Sequence, residues 1–297
     1  MTRRSPGLGL TLLAIASLIR IPWLQAASAF DLSAVLTRAG DYASRYAASV
    51  SGIVADETYE QRYFTPRESG PTQTRVLRSE VLIAQLPVDV KWLMYRDVLS
   101  VDGRAVTDER GRLERIFRES SSNDAVRKAQ ALLQESSRFN IGPVQRNFNI
   151  PTLALVFLLP GNQGRIRFAG GGAEETGGRT WVVVKGTESA RPTLVRSNGV
   201  DTPLTLTYWI DPVPGAVSRT EVRFASASGS SRARLTTRFA WNEGTGLWLP
   251  AEMTERYDLR VSPETLESRY YVEGSATYGN VRRFEVTTQE EIRIREP

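Results

Sequence analysis

The apolar and polar positions change period several times along the chain, and each change marks an element. Between residues 31 and 50, Leu32, Val35, Leu36, Ala39, Tyr42, Ala43 and Tyr46 recur at three- and four-residue spacing. That period puts them on one face of a helix, with Asp31 as its N-cap and Gly40 weakening its middle. Period two then takes over. Alternation with aromatics runs from Ile53 to Phe64, and a polar loop follows from Pro66 to Pro71. Arg75 to Leu86 reads as a strand stopped by Pro87, and Lys91 to Val101 as another, with Trp92-Leu93-Met94-Tyr95 at its heart. Asp102-Gly103 is a two-residue hairpin signal that leads into a return strand at Ala105.

The middle of the chain is helical in pattern. Asp108 to Glu119 carries Leu113, Ile116 and Phe117 on one face, and the Ser120-Ser121-Ser122-Asn123 cluster breaks it. Asn123 or Asp124 caps a further helix to about Arg138, with Val126, Ala129, Leu132 and Leu133 inward. Ile150 to Leu159 is the most apolar stretch after the N-terminus, and Asn149 before Pro151 resembles a helix start. A helix is expected there, although ten apolar residues fit a buried strand equally well by periodicity.

From Arg165 onward the pattern is strands and turns. Gly170 to Gly178 reads as a flexible hairpin loop between Arg165–Phe168 and Trp181–Lys185, and Thr193–Arg196 precedes an Asn198-Gly199 turn. Leu204 to Ile210 alternates into Asp211-Pro212-Val213-Pro214-Gly215, and Val217 to Phe224 alternates out again. The prolines preset φ and Gly215 accepts a positive φ, so the chain reverses there into a β-hairpin. Leu235 to Trp241, Leu247 to Leu259, Arg269 to Tyr278 and Arg283 to Thr288 continue the meander. Regular one-sided strands of this kind predict an α+β fold dominated by a strongly curved antiparallel sheet. The helices at 31–50, 110–138 and 150–159 are expected on its concave side, the second and third forming an insertion around 108–160 in a single domain from 30 to 297.

Charge and address modify this picture at one end. Arg3 and Arg4, an apolar run from Leu10 to Ile19 and the small-x-small site Ala27-Ser28-Ala29 predict a signal peptide over residues 1–29. A retained N-terminal anchor is the alternative, although Arg20 interrupts the apolar run. Cleavage near Ala29 would export the protein, to the periplasm in a host with two membranes, with no membrane span in the mature chain. Of the 38 basic residues, three lie in that segment with no acid beside them, so the remainder is close to balanced against 33 acids. Arg and Glu interspersed as in Arg219-Thr220-Glu221-Val222-Arg223 read as solvated strand faces, and nucleic acid is not an expected partner.

The 297 residues contain no histidine and no cysteine. Ser-His and Cys-His nucleophiles and histidine or thiolate metal sites are thereby removed, so no metal and no cofactor is expected. Neither Gly-x-Ser-x-Gly nor Ser-x-x-Lys occurs, and the glycine run lacks the Gly-Lys-Ser/Thr of a phosphate loop. Carboxylate pairs remain, but Glu174 with Glu175 and Asp108 with Glu109 are sequence neighbours in predicted turns. No catalytic residue and no enzyme activity is predicted. Aromatic side chains are the remaining signal. Trp92, Trp181, Trp209 and Trp241, with Phe157 from the apolar segment, are candidate ligand-binding residues lining a cavity inside a curved sheet. Core packing is the alternative for each. Trp209 is of particular interest, because it lies on the face of its strand that Leu204, Leu206, Tyr208 and Ile210 leave uncovered.

Two phrases carry a family resemblance. Trp209-Ile210-Asp211-Pro212, with Gly215 and Arg219-Thr220, is followed two strands later by Leu247-Trp248-Leu249-Pro250-Ala251-Glu252-Met253. Together they resemble the periplasmic lipoprotein carriers and outer-membrane lipoprotein receptors (the LolA/LolB/RseB-like half-barrel group, including the sigma-factor regulator RseB). The resemblance covers mainly residues 180–290. It implies an unclosed barrel of about eleven strands, covered by helices around a hydrophobic cavity for acyl chains. The chain also resembles uncharacterised secreted bacterial proteins sharing Arg96-Asp97-Val98, Phe139-Asn140-Ile141-Gly142 and Pro151-Thr152-Leu153-Ala154, which implies no activity. The expectation is a non-catalytic cell-envelope binding protein for a lipid or lipoprotein acyl chain, with residues 150–159 as a cover or plug. The alternative is an envelope protein–protein interaction or stress-sensor module without a ligand cavity.

Overall fold

The computed structural model describes residues 30–50, 52–66, 68–85, 92–106, 110–119, 122–143, 146, 149–197, 199–225, 231–260 and 269–283. The expected signal peptide, the Asp108–Glu109 pair and the strand over 284–288 lie outside the described residues. In chain order the elements are α1 (Leu32–Val50), β1 (Ile53–Phe64), β2 (Gln73–Gln85), β3 (Trp92–Val101), β4 (Arg104–Ala105), α2 (Arg112–Glu119) and α3 (Ser122–Ser137). A 3-10 helix (Leu153–Leu158) and α4 (Pro160–Gln163) precede β5 (Ile166–Thr176), β6 (Arg179–Glu188), β7 (Arg196–Ser197) and β8 (Val200–Asp201). The last five are β9 (Leu204–Ile210), β10 (Val217–Ala225), β11 (Ser231–Asn242), β12 (Leu247–Arg260) and β13 (Arg269–Arg283).

Eleven strands form one sheet in the order β4-β3-β2-β1-β13-β12-β11-β10-β9-β6-β5, while β7 and β8 pair separately. Every pairing is antiparallel, and among the described residues β4 and β5 are the two edges, so the sheet does not close. It is nevertheless strongly coiled. Trp181 on β6 and Trp248 on β12 have ring centroids 5.6 Å apart, although three strands lie between them. At ~4.8 Å per strand a flat sheet would hold them about 19 Å apart.

Two expectations need correction. Helices do not form one layer. Strand parity puts Ile53, Tyr59, Val81, Ile83, Met94 and Val98 in the main core with α1 and the 3-10 helix. The alternate residues Val54, Leu82 and Tyr95 form a second core with Leu113 of α2 and Leu132 of α3. Successive strand residues point to opposite faces, so α2 and α3 pack on the sheet face opposite α1. The glycine run is no loop either: β5 continues through it with a bulge between Gly170 and Ala173, and reverses only at Gly177-Gly178.

Segment 153–158 is helical, as expected, but it is 3-10 rather than α. Ala154 to Leu159 are all buried, and the Tyr208 hydroxyl donates to the Ala154 carbonyl at 2.9 Å. This places it as a fixed layer of the core and not a removable plug. α1 lies against it. Asp31 Oδ1 accepts from the Ser33 amide at 2.9 Å, the N-cap read from sequence. Gly40 proves to be a contact point: a Cβ there would stand 2.7 Å from Gln163 Nε2 and 3.2 Å from the Leu158 carbonyl. Gln163 uses that space to donate to the carbonyls of Leu36 (2.9 Å) and Leu158 (2.8 Å), tying α1 to the 3-10 helix.

The hairpin between β9 and β10 anchors the other flank of α1. Asp211 Oδ1 accepts from the Val213 amide at 3.0 Å, its carbonyl accepts from Gly215 at 3.0 Å, and its amide donates to Ala216 at 2.8 Å. Asp211 therefore holds a turn. Gly215 takes φ +74, and a Cβ on it would lie 2.3 Å from the Arg38 carbonyl oxygen. Arg38 in turn donates to the Pro212 carbonyl at 3.0 Å.

Candidate functional site

Because neighbouring strands run antiparallel, one rim of the sheet collects the end of β2, the starts of β1 and β3, the end of β13, the start of β12, the end of β11 and so on to the start of β6. Trp92 is the first residue of β3, Trp181 the third of β6, Trp209 the last but one of β9, Trp241 the last but one of β11 and Trp248 the second of β12. All five therefore sit at the same rim. Trp181 and Trp241 each meet Trp248 edge-on, at 5.6 and 6.4 Å, and the Arg179 guanidinium lies 5.7 Å from the Trp248 ring. Trp181 is buried and Trp241 is 49% exposed.

The other candidates separate from that cluster. Trp209 is covered by its own protein: its Nε1 donates to Glu174 Oε2 at 2.6 Å, and Arg219 stacks 4.2 Å from its ring. Phe157 is fully buried in the core, away from solvent. Trp92 pairs with Gln85 through the backbone, and the surroundings of its side chain lie outside what is described.

What the sequence reading missed lies one and two residues past Trp248, at Leu249 and Pro250. The C-terminal end of α1 meets the sheet over an apolar cleft lined by Val50, Ile53, Ala55, Val81, Ile83, Leu249, Pro250, Tyr278 and Val281. Its free volume is about 20 Å³, room for one water-sized group. The odd-numbered positions of β1 and β2 signalled one half of this lining; the meeting with Leu249 and Val281 is set by the coil of the sheet.

Deeper on the same face lies a buried ionic network. Arg96 donates to Glu57 at 2.8 Å, with the pair almost wholly shielded from solvent. Arg146 and Glu255 approach to 3.4 Å with both side chains at zero exposure. Tyr59 also donates to Glu255, and Tyr257 does so at 3.2 Å. Arg146 is further held by the Ile141 carbonyl at 2.8 Å and by Gln61. Gly274 makes the room: a Cβ there would stand 2.6 Å from Glu255 Oε1 and 2.8 Å from the Tyr59 ring. Burial pushes the Glu255 carboxyl above its ordinary value despite Arg146, Tyr59 and Arg96. For Arg96, the burial that disfavours its charge is outweighed by Glu57, and its pKa rises. Each of these two buried acids thus has a buried arginine. The arrangement is suited to holding β1, β3, β12 and the 139–146 segment in register. Among the described residues no group of acids converges as a metal site, and no helix is long and apolar enough to cross a membrane.

No protein-family profile matches this chain, and no curated protein matches its sequence. Two solved structures are similar at 12% identity and a TM-score of 0.35. One is a DUF1329 family protein from Desulfovibrio piger, with 84% of this chain and 92% of that chain covered. The other is a putative outer membrane lipoprotein-sorting protein domain from Vibrio parahaemolyticus, with 86% and 94% covered. In its own right the chain is an unclosed, eleven-stranded antiparallel sheet with helices on both faces.

Proposed function

We propose that this is a non-catalytic binding protein of the cell envelope whose ligand is hydrophobic, a lipid or lipoprotein acyl chain, received at the tryptophan-bearing rim. The observation that carries this reading is the apolar cleft between the end of α1 and the sheet, whose lining residues Leu249 and Pro250 directly follow Trp248 on β12. At about 20 Å³ the cleft holds no acyl chain as it stands. The ligand would enter by lifting α1, which meets the core through Val35, Tyr46 and Val50 as well as the small residues Ala39, Gly40, Ala43 and Ala47. Lifting it forfeits the burial of those side chains, at ~25 cal/mol per Å², and an inserted chain would have to restore it. α1, rather than the 3-10 helix, is the cover in this reading.

The test is a titration of delipidated protein with a fluorescent fatty-acyl probe, read by energy transfer from the rim tryptophans. Saturable binding that is lost when Gly40 is tied to residue 163 by an engineered disulfide supports the reading. No binding at any probe concentration removes it. The second reading is the envelope protein-interaction module. The filled core favours it, with Val213 (78% exposed) and Trp241 standing out from the same rim. Absence of acyl binding together with a Trp241-dependent protein complex would establish that reading instead.

A further inference from the structure

The two edges of the sheet are unlike. β4 has two residues and offers almost no ladder, whereas β5 runs for eleven, Ile166–Thr176. From Ala169 to Thr176 every residue of β5 is exposed, on both sides of the strand. One flank of its backbone pairs with β6, and among the described residues no strand lies along the other. An open edge of this length is a template for a further strand, and proteins commonly blunt one with lysine, proline, a bulge or a covering element. β5 has no lysine and no proline, and its one irregularity is the bulge between Gly170 and Ala173.

The charges of β5 select the strand that fits it. Arg167 stands near its start, Glu174 and Glu175 near its end, so a second copy laid antiparallel brings basic end to acidic end. The bulge narrows the register. Before it, Ile166 belongs to the main core and Phe168 packs against that core; beyond it, Ala173 pairs with the core residue Val182. Even positions before the bulge therefore share a side with odd positions after it, and Arg167 and Glu174 both lie on the opposite side. Residues directly opposite one another across two strands share a side. The register that sets Arg167 against Glu174 of the second copy meets this condition, with Phe168 against Ala173 and Ala169 against Gly172. A two-fold axis repeats each contact. The neighbouring register would use Arg165 instead, which already donates to the Pro192 carbonyl and lies 3.9 Å from Glu188. Glu174 gives Oε2 to Trp209, which leaves Oε1 to accept, and Arg167 is exposed. We infer that β5 is the contact by which two copies of this chain join edge to edge in one continuous antiparallel sheet, Arg167 of each copy paired with Glu174 of the other. Glycine-rich strands specify register weakly, so the two charge pairs fix it, and Gly170 and Gly171 put no side chain at the axis where the bulges meet.

The experiment is sedimentation velocity of the full chain over an about hundredfold range of concentration, with hydrogen exchange at both ends of the range. A reversible monomer–dimer equilibrium is expected, and the amides of residues 166–176 should gain protection as the dimer forms. Arg167→Glu and Glu174→Arg each place like charges opposite one another twice per dimer and should weaken association about tenfold or more. Arg167→Glu/Glu174→Arg exchanges the partners and should restore it. Glu174→Arg also gives up the bond to Trp209, whereas Arg167→Glu disturbs nothing else in the chain. Loss of association in Arg167→Glu, with the thermal midpoint of the dilute protein unchanged, therefore supports the edge contact without the other variants. A chain that stays monomeric throughout, a dimer that persists in Arg167→Glu, or protection gained elsewhere than in β5 overturns it. Failure of the double exchange to restore association in a folded chain overturns the register.

Discussion

The two faces of one sheet handle charge in opposite ways. On the α1 face Glu57, Arg96, Arg146 and Glu255 are withdrawn from water, and each is matched one to one with hydrogen bonds from tyrosines and backbone. On the other face arginines stand in files, half exposed, and pair with surface carboxylates such as Glu221, Glu252 and Glu273. The difference follows from dielectric. An unpaired charge in the interior costs several kcal/mol, so every buried ion must find its partner. Water screens an exposed one, and a surface pair contributes roughly 0–1 kcal/mol. The buried face is therefore constrained by folding far more than the exposed one.

The strongest way to break that contrast is to remove one partner on each side. Arg146→Met leaves Glu255 buried without its cation and is expected to destabilise by ~3–5 kcal/mol in denaturant unfolding. Arg238→Ala breaks an exposed pair with Glu252 at 3.3 Å, with side chains 68% and 51% exposed, and should change stability by under about 0.5 kcal/mol. Comparable losses from both would mean that burial does not separate the faces. Close behind come the two cores. Leu155→Ala in the 3-10 helix and Leu113→Ala in α2 each empty a fully buried site, at a cost of ~2–5 kcal/mol. Leu155 should fall at the upper end, because its neighbours are locked on all sides. Leu113 belongs to a small cluster under two helices, so hydrogen exchange should show α2 and α3 opening first, with the sheet still protected.

A third variant tests the flank of α1. Gly215→Val combines a positive φ with a Cβ on top of the Arg38 carbonyl, and should cost about 2 kcal/mol or more. Amide protection around Arg38 should fall before that of β9 and β10; uniform loss would show that the turn does not hold α1. The smallest effect is in pH. Glu255 has its carboxyl raised by burial, so its contribution is fully present below the ordinary value of 4.5 and is lost as pH rises through its folded value. Asp56 runs the other way. Its burial is outweighed by hydrogen bonds from Arg282 and Asn280, which lower its pKa, so its contribution is present above 3.8 and is lost as pH falls through the folded value. In a series of unfolding midpoints against pH, Glu255→Gln should flatten the decline on the alkaline side of 4.5 and leave the acid limb in place. Asp56→Asn should do the reverse.

Much of the fold was legible in the chain because it is written at short range. Asp31 capping α1, the Asp102-Gly103 reversal and the Asp211-to-Gly215 turn depend on residues within a few positions of each other. Alternation gave strands their two faces, and the hairpin spacing gave a meander. The candidate site was legible only in part. Four of the five aromatic candidates share the rim, but Trp209 is covered by Arg219 and Glu174, and Phe157 belongs to the core. The apolar cleft was invisible, since Val50 and Ile53 meet Leu249 and Val281 only once the sheet has coiled.

The sequence by itself determined what local sterics and periodicity decide: the elements, the turns and the absence of histidine and thiol chemistry. Tertiary structure decided what depends on distant partners. It sent α2 and α3 to the face opposite α1, because Leu82 and Tyr95 offered Leu113 an apolar seat that parity alone does not assign. It turned Gly40 from a weak point into a contact with Gln163. It brought Arg146 to Glu255 across Gly274, because a buried acid must be neutralised by whichever arginine the fold can deliver.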